Sequence, residues 1–169
     1  QDMEGHTGIK MDSKTRNENI ELYGRGYDLL MATLAKVPQE AMNFKPEPKE
    51  WSVHEVIIHL ADSEAIAAQQ ARMMVAEPGR AVMAYDPDTW ADNLHYQDAD
   101  KEEALRLLKS TREFTYRWLK SLPEEAFALS AEYPGDEEPY VLDDLLRIYA
   151  GHIPSHIEQI NNNVKLWRE

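Results

Sequence analysis

The chain has 169 residues, 43% of them hydrophobic, enough for one domain with a sizeable core and too apolar for a disordered chain. Its formal net charge of -13, from 31 acidic and 18 basic residues, repels phosphate backbones and anionic lipid, which argues against nucleic-acid or membrane partners. Cysteine is absent, which excludes disulfides, thiolate zinc sites and cysteine nucleophiles, and no apolar run approaches the ~20 residues of a membrane-spanning helix.

Residues 1–10, "QDMEGHTGIK", read as a cloning scar or a disordered lead ahead of a start at Met11, so residues 11–169 form the expected single domain and His6 is set aside. No signal peptide is visible, and the expected setting is cytoplasmic; a cleaved leader would leave no trace.

The first helix is predicted over residues 14–36, where Ile20, Leu22, Tyr23, Tyr27, Leu30, Met31 and Leu34 recur at helical spacing. Gly24 and Gly26 inside it point to a close helix crossing. Residues 37–51 carry three prolines and read as a loop packed by Phe44 and Trp51. The second helix starts on the capping box "SVHE", with Ser52 as N-cap and Glu55 at the third helical position, and runs to about Ala76. Val56, His59, Leu60, Ser63 and Ala67 follow its inner stripe.

Residues 77–100 hold two prolines and five aspartates, which argue against regular structure in most of that stretch. Its length suits a functional loop. Asp100 caps a third helix over residues 101–121, with Ala104, Leu107, Leu108, Phe114, Trp118 and Leu119 as the expected apolar side. Residues 122–140 form another loop with room for a short helical turn. A fourth helix follows over residues 141–166, with Leu142, Leu145, Leu146, Tyr149, Ile153, Ile157 and Ile160 facing inward. No run of alternating β-branched residues marks a strand. The pattern is an all-α, four-helix domain, with long loops between helices 2 and 3 and helices 3 and 4.

His152 and His156 lie four positions apart on or near the apolar stripe of the last helix. The second helix adds His59 on its own inward stripe. Three neutral nitrogens from two helices can hold one cation, at ~2.0–2.1 Å each if it is zinc. The rival reading is three core histidines bonded to backbone and carboxylates. Pro154, between the pair, removes the helical bond to the Ala150 carbonyl at a cost of ~3 kcal/mol or more. It either tilts His152 toward the centre that His156 faces or bends the helix around the core. Ile153 stands where HExxH peptidases carry their glutamate, so that chemistry is not expected. His54 points off the face of His59. His95, in the aromatic loop, is a candidate to lie over the site, although a surface position is the plainer reading for both.

Residues 50–64, "EWSVHEVIIHLADSE", and residues 149–160, "YAGHIPSHIEQI", together resemble the DinB-like superfamily, which includes the YfiT-type metalloenzymes. The likeness rests on Trp51, Ser52, Glu55, Val56, His59, Leu60, Asp62, His152, His156, Gln159 and Ile160, and residues 85–90, "YDPDTW", are similar to the loop after the second helix of that family. The resemblance implies an up-down-down-up bundle, often a homodimer, and a divalent metal, zinc or nickel, on His59, His152 and His156. It also implies a metal-dependent transferase that uses a low-molecular-weight thiol, or a hydrolase-like activity, on a small molecule. Glu55 and Asp62 flank His59 as base or outer-sphere candidates, with helix capping the stronger reading for Glu55. Gln159 can reach the site or an imidazole. Tyr85, Trp90, His95 and Tyr96 are candidate pocket walls. The alternative is a non-catalytic dimeric bundle that binds a metal or small ligand.

Overall fold

The computed structural model describes residues 10–169. Of the expected non-native lead only Lys10 falls within that range; the remainder, His6 included, lies outside the described residues. Five α-helices form: α1 Ser13–Leu34, α2 Val53–Ala76, α3 Pro87–Asn93, α4 Lys101–Ser121 and α5 Leu142–Trp167. Three of the four long ones begin on a side-chain cap. The Thr15 amide donates to Asp12 at 2.7 Å, Ser52 and Glu55 form the reciprocal capping box, and Asp100 accepts from the Glu102 and Glu103 amides. Each such cap contributes ~1 kcal/mol and fixes where the chain turns helical.

The four long helices form a bundle in which α1 packs on α4 and α5, and α2 packs on the same two. The pairs α1 and α2, and α4 and α5, therefore sit on the two diagonals, while α2 and α4 are neighbours. Their directions follow from the pairs that meet. Arg16 bonds Asp143 and Gly26 lies against Ile153, so α1 and α5 run parallel. Glu64 bonds Arg112 and Arg72 bonds Thr115, so α2 and α4 run parallel. Glu21 bonds Lys120 while Lys109 lies over Tyr27, so α1 and α4 are antiparallel. His59 faces His156 and Ser63 bonds Tyr149, so α2 and α5 are antiparallel. The order is up-down-down-up.

That topology explains the long second connection. Because α2 and α4 point the same way, residues 77–100 must travel back along the bundle, ~30 Å for a helix the length of α4. They do so with more regular structure than expected, through α3 and a 3-10 turn at Tyr96–Asp98. Pro87 occupies the first turn of α3 behind the N-cap Asp86, where a missing N–H costs nothing, so this proline starts a helix rather than breaking one. Residues 122–141 hold the expected short helical turn, a 3-10 turn at Glu124–Ala128, and depart from expectation after it: β1 (Ser130–Ala131) pairs antiparallel with β2 (Tyr140–Val141), and Ala81 bridges to Glu132. Strands of two residues are too short to leave an alternation in the sequence.

The inner face of α4 is Leu105, Leu108, Arg112, Thr115 and Leu119, while Leu107 and Phe114 are 46% and 66% exposed. Of the expected side, Leu108 and Leu119 are buried and Ala104 and Trp118 pack partly against the core; two of the five inward residues are polar, so the apolar pattern alone took the exposed Leu107 and Phe114 in place of Arg112 and Thr115. Met31 on α1 is exposed for the same reason: its inner stripe is Arg16, Ile20, Tyr23, Gly26 and Leu30. The glycine pair has a steric cause. A Cβ on Gly24 would lie 2.6 Å from the Tyr116 ring, and one on Gly26 would lie 2.3 Å from the Arg112 guanidinium. Glycine in a helix interior costs ~1 kcal/mol against alanine, so close approach outweighs propensity here. The chain stays helical across Pro154, so the histidines beside it need no break in α5. Among the described residues no helix is long and apolar enough to cross a membrane.

Candidate metal centre

His59 comes from the first half of α2, and His152 and His156 from the middle of α5. The antiparallel packing of the two helices turns all three imidazoles toward one point. His59 Nε2 lies 3.3 Å from His152 Nε2, and His156 Nε2 lies 3.2 Å from His152 Nε2. One nitrogen from each ring falls within 4.8 Å of the other two. Metal–nitrogen bonds of ~2.0–2.1 Å in tetrahedral array place neighbouring ligand atoms ~3.3 Å apart, which is the spacing seen. Among the described residues no aspartate or glutamate oxygen joins this cluster.

The rings are held on their outer sides. Trp51 packs on His59 with centroids 4.6 Å apart, and Tyr149 meets His152 edge-on at 5.2 Å. His156 Nδ1 donates to Gln159 Oε1 at 2.7 Å, so its Nε2, facing the other two rings, carries the lone pair. His59 Nδ1 and His152 Nδ1 are buried without a partner. Buried polar atoms are ordinarily bonded. With the proton on Nδ1, two N–H groups stay unpaired; with it on Nε2, the protons crowd into one small space. A cation taking the three Nε2 lone pairs resolves that crowding, so the donor set fits a metal.

Electrostatics agrees. Burial, with the nearby His156 charge second, pushes the pKa of His59 down to about 3. Burial also lowers His152 well below its ordinary value, with His156 and His59 adding to the effect, and lowers His156 against the Gln159 bond that raises it. The three rings are neutral at pH 7 and need shed no proton to ligate.

Two clefts open beside the trio. One of about 560 Å³ lies on the His152 side, where Ser63, Tyr85, Tyr133, Tyr140 and Tyr149 contribute aromatic faces and hydroxyls. The other, about 350 Å³, lies on the His156 side against Trp51, Gln159 and Asn162. Pro87 of α3 borders both, so the crossover connection roofs the site. In the larger cleft the Ser63 and Tyr149 hydroxyls are 3.1 Å apart.

The other candidate residues take varied places. The Glu55 carboxylate accepts the Ser52 amide at 3.2 Å and pairs with Lys45 at 3.4 Å, so it serves the start of α2. Asp62 accepts the Tyr96 hydroxyl at 2.6 Å, which pins the crossover to α2. Tyr85 lines the larger cleft and packs on the half-buried Trp90 at 4.5 Å. Tyr96 is buried away from both clefts. His95 is exposed with φ 52° at the junction behind α3 and lines neither cleft. His54 is partly buried, its Nε2 donating to the Ala99 carbonyl at 2.9 Å. The sequence reading missed Tyr133, Tyr140 and the role of Tyr149 as a wall. The density of tyrosine between residues 133 and 149 was the available signal.

Comparison with known proteins agrees with this arrangement. The model of the DinB superfamily matches residues 22–160. A Bacillus licheniformis protein named "Putative metal-dependent hydrolase" is 27% identical over 140 residues, covering 81% of this chain and 78% of its own length. YfiT of Bacillus subtilis, which carries the same description, is 29% identical over 113 residues, covering 65% of this chain and 62% of its own length. The solved structure of YfiT, described as "a probable metal-dependent hydrolase with an unusual four-helix bundle topology", superposes with a TM-score of 0.85 at 20% identity, over 92% of this chain and 89% of that one.

Proposed function

This chain belongs to the DinB superfamily, and on that premise we propose that it is a metal-dependent hydrolase of a small molecule, with His59, His152 and His156 as the metal ligands. The observation that carries the reading is the convergence of three uncharged imidazoles, with His152 Nε2 3.3 Å from that of His59 and 3.2 Å from that of His156, and with no carboxylate joining them among the described residues. The names of the two Bacillus relatives support the reaction class. An imidazole set of this kind suits zinc or nickel.

His59, His152 and His156 would hold a divalent ion without neutralising its charge, and the ion would supply an acidified nucleophile, water near pKa ~7 or a thiol as its thiolate. The residues around it divide the remaining work. Gln159 fixes the tautomer and direction of His156. The tyrosine cleft on the His152 side takes the substrate, Ser63 and Tyr149 offering hydroxyls one helical turn from His59 and His152. Pro87 of the crossover borders both clefts.

A second reading, transfer of a low-molecular-weight thiol to an electrophile, is favoured by the engagement of both nearby carboxylates. Glu55 and Asp62 are occupied by helix capping and by Tyr96. A thiol, with an ordinary pKa near ~8.5, needs far less help to ionise on a metal than water does. Two clefts meeting at one centre also suit two reactants. The exposed Leu107 and Phe114 ridge on α4 supports a homodimer for either activity.

The test is metal analysis of untagged protein, followed by turnover. Stoichiometric zinc or nickel that disappears in His59→Ala supports the site; none after metal supplementation refutes it. Metal-loaded protein is then given esters and amides, with and without added thiol. Turnover without thiol supports hydrolysis, and turnover that requires thiol supports transfer. Stoichiometric metal with neither activity supports a non-catalytic metal-binding bundle.

A further inference from the structure

The ligands come from two helices, so something must hold α2 and α5 in register to a fraction of an ångström. Below the imidazoles lies a second polar cluster to which the reading above assigns no task. Arg112 of α4 and Glu64 of α2 each have side chains 1% exposed. Arg112 Nη2 donates to Glu64 Oε2 at 2.9 Å, and its Nε reaches the same oxygen at 3.2 Å. The same Nη2 donates to the Tyr149 carbonyl of α5 at 3.0 Å, and Nη1 donates to the Tyr23 carbonyl of α1 at 3.0 Å. The Tyr23 hydroxyl donates to Glu64 Oε1, and the Tyr23 ring lies 4.1 Å from the guanidinium carbon. One guanidinium therefore touches all four long helices.

Its place relative to the ligands is specific. Glu64 follows His59 by five residues on α2, ~7.5 Å along the axis, and Tyr149 precedes His152 by three on α5, ~4.5 Å. The bond to Tyr149 is made to backbone, so it fixes the helix itself and not merely a side chain. Tyr149 then carries the constraint upward through its ring against His152 and its hydroxyl on Ser63, one turn after His59. His152 needs this support because its Nδ1 has no partner, whereas His156 has Gln159. Gly26 completes the device, since any Cβ there would sit 2.3 Å from Arg112 Nη1.

A buried ion pair is weak support for stability, because apolar residues of the same volume serve a core as well or better. What it supplies that they cannot is direction: a planar fork with fixed donor angles. We propose that Arg112 and Glu64 are positioning residues for the metal centre, setting the register of α2 against α5 through the Tyr149 carbonyl so that His59 meets His152 and His156. The inference rests on the metal reading above and goes beyond it, because the trio itself does not require this pair.

The test compares zinc affinity with fold stability. The double variant Arg112→Met with Glu64→Gln removes both charges together and keeps an acceptor for Tyr23. Zinc affinity is read by competition with a chromophoric chelator, geometry by the visible spectrum of the cobalt-substituted protein, and folding by circular dichroism. The expected result is a folded protein with zinc affinity at least tenfold weaker, the range seen when support behind metal ligands is lost, and an altered cobalt spectrum. Gly26→Ala keeps both charges and displaces the guanidinium, with Ile153 Cδ1 at 3.1 Å having to give only slightly, so it is measured in parallel and stands alone if the double variant does not fold; at least threefold weaker zinc binding is expected. A folded variant of either kind that binds zinc within twofold of the parent, with an unchanged cobalt spectrum, overturns the proposal. A parent that takes up no zinc or cobalt overturns the metal reading and this one with it, so the two failures are told apart.

Discussion

Acid should destabilise the metal-free protein in a window set by the histidines. His59 is fully buried, and its pKa is pushed down to about 3 in the folded state against an ordinary 6.5 in the unfolded chain. Below pH 6.5 the unfolded chain therefore binds a proton that the folded chain refuses. Stability falls as pH drops through that window, by ~1.4 kcal/mol per pH unit for each such group. At pH 5 His59 alone costs ~2 kcal/mol, and the depressed His152 and His156 add in the same direction. An opposing trend comes from the net charge of -13, since protonation relieves repulsion in the folded state. The comparison with His59→Gln cancels that term. Urea unfolding of chelator-treated parent and variant at pH 7, 6 and 5 gives the difference directly, and the parent should lose ~2 kcal/mol more than the variant between pH 7 and 5. Equal losses would mean that His59 is not held neutral by burial, and the electrostatic account of the site would fail. Saturating zinc should raise stability at each pH and leave the pH dependence in place, because it is the unfolded chain that takes up the protons and the metal-bound rings refuse them as the buried neutral rings do.

Gln159→Leu removes the only acceptor on an imidazole Nδ1 in the trio, and zinc binding should weaken ~10-fold with the melting temperature of the metal-free protein little changed, as competition with a chelator would show. Ser52→Ala breaks the capping box that starts α2 and should cost ~1 kcal/mol in chemical denaturation, while Asp62→Asn should leave zinc affinity within twofold because its partner is Tyr96. If two copies meet through α4, Leu107→Glu combined with Phe114→Glu should halve the mass measured by light scattering without unfolding the chain; a parent that is already monomeric sinks the dimer.

Local rules were legible in the residues themselves. The capping box at Ser52 and Glu55, the cap at Asp100 and the 3.6-residue periodicity located four helices, because caps and amphipathic stripes act within a turn or two of chain. His59, His152 and His156 stood out for the same reason: each lies on a stripe that a helix must bury. Pro87 was misjudged because a proline reads as a breaker until the preceding aspartate is recognised as a cap, and the two-residue strands left no alternation to detect. The inner face of α4 was legible only in part, through Leu108 and Leu119, because Arg112 and Thr115 hold central positions that hydrophobicity alone assigns to solvent.

The sequence by itself determined which four long segments are helical, about where each starts and which side chains carry metal-binding chemistry, since those properties depend on neighbours within a few residues. Only the tertiary structure decided that α2 runs antiparallel to α5, that three ring nitrogens come within 3.3 Å in successive pairs, and that a buried arginine reaches all four long helices. Those facts depend on the relative placement of elements far apart in the chain, where packing, hydrogen bonding and desolvation are settled together and no local pattern records the outcome.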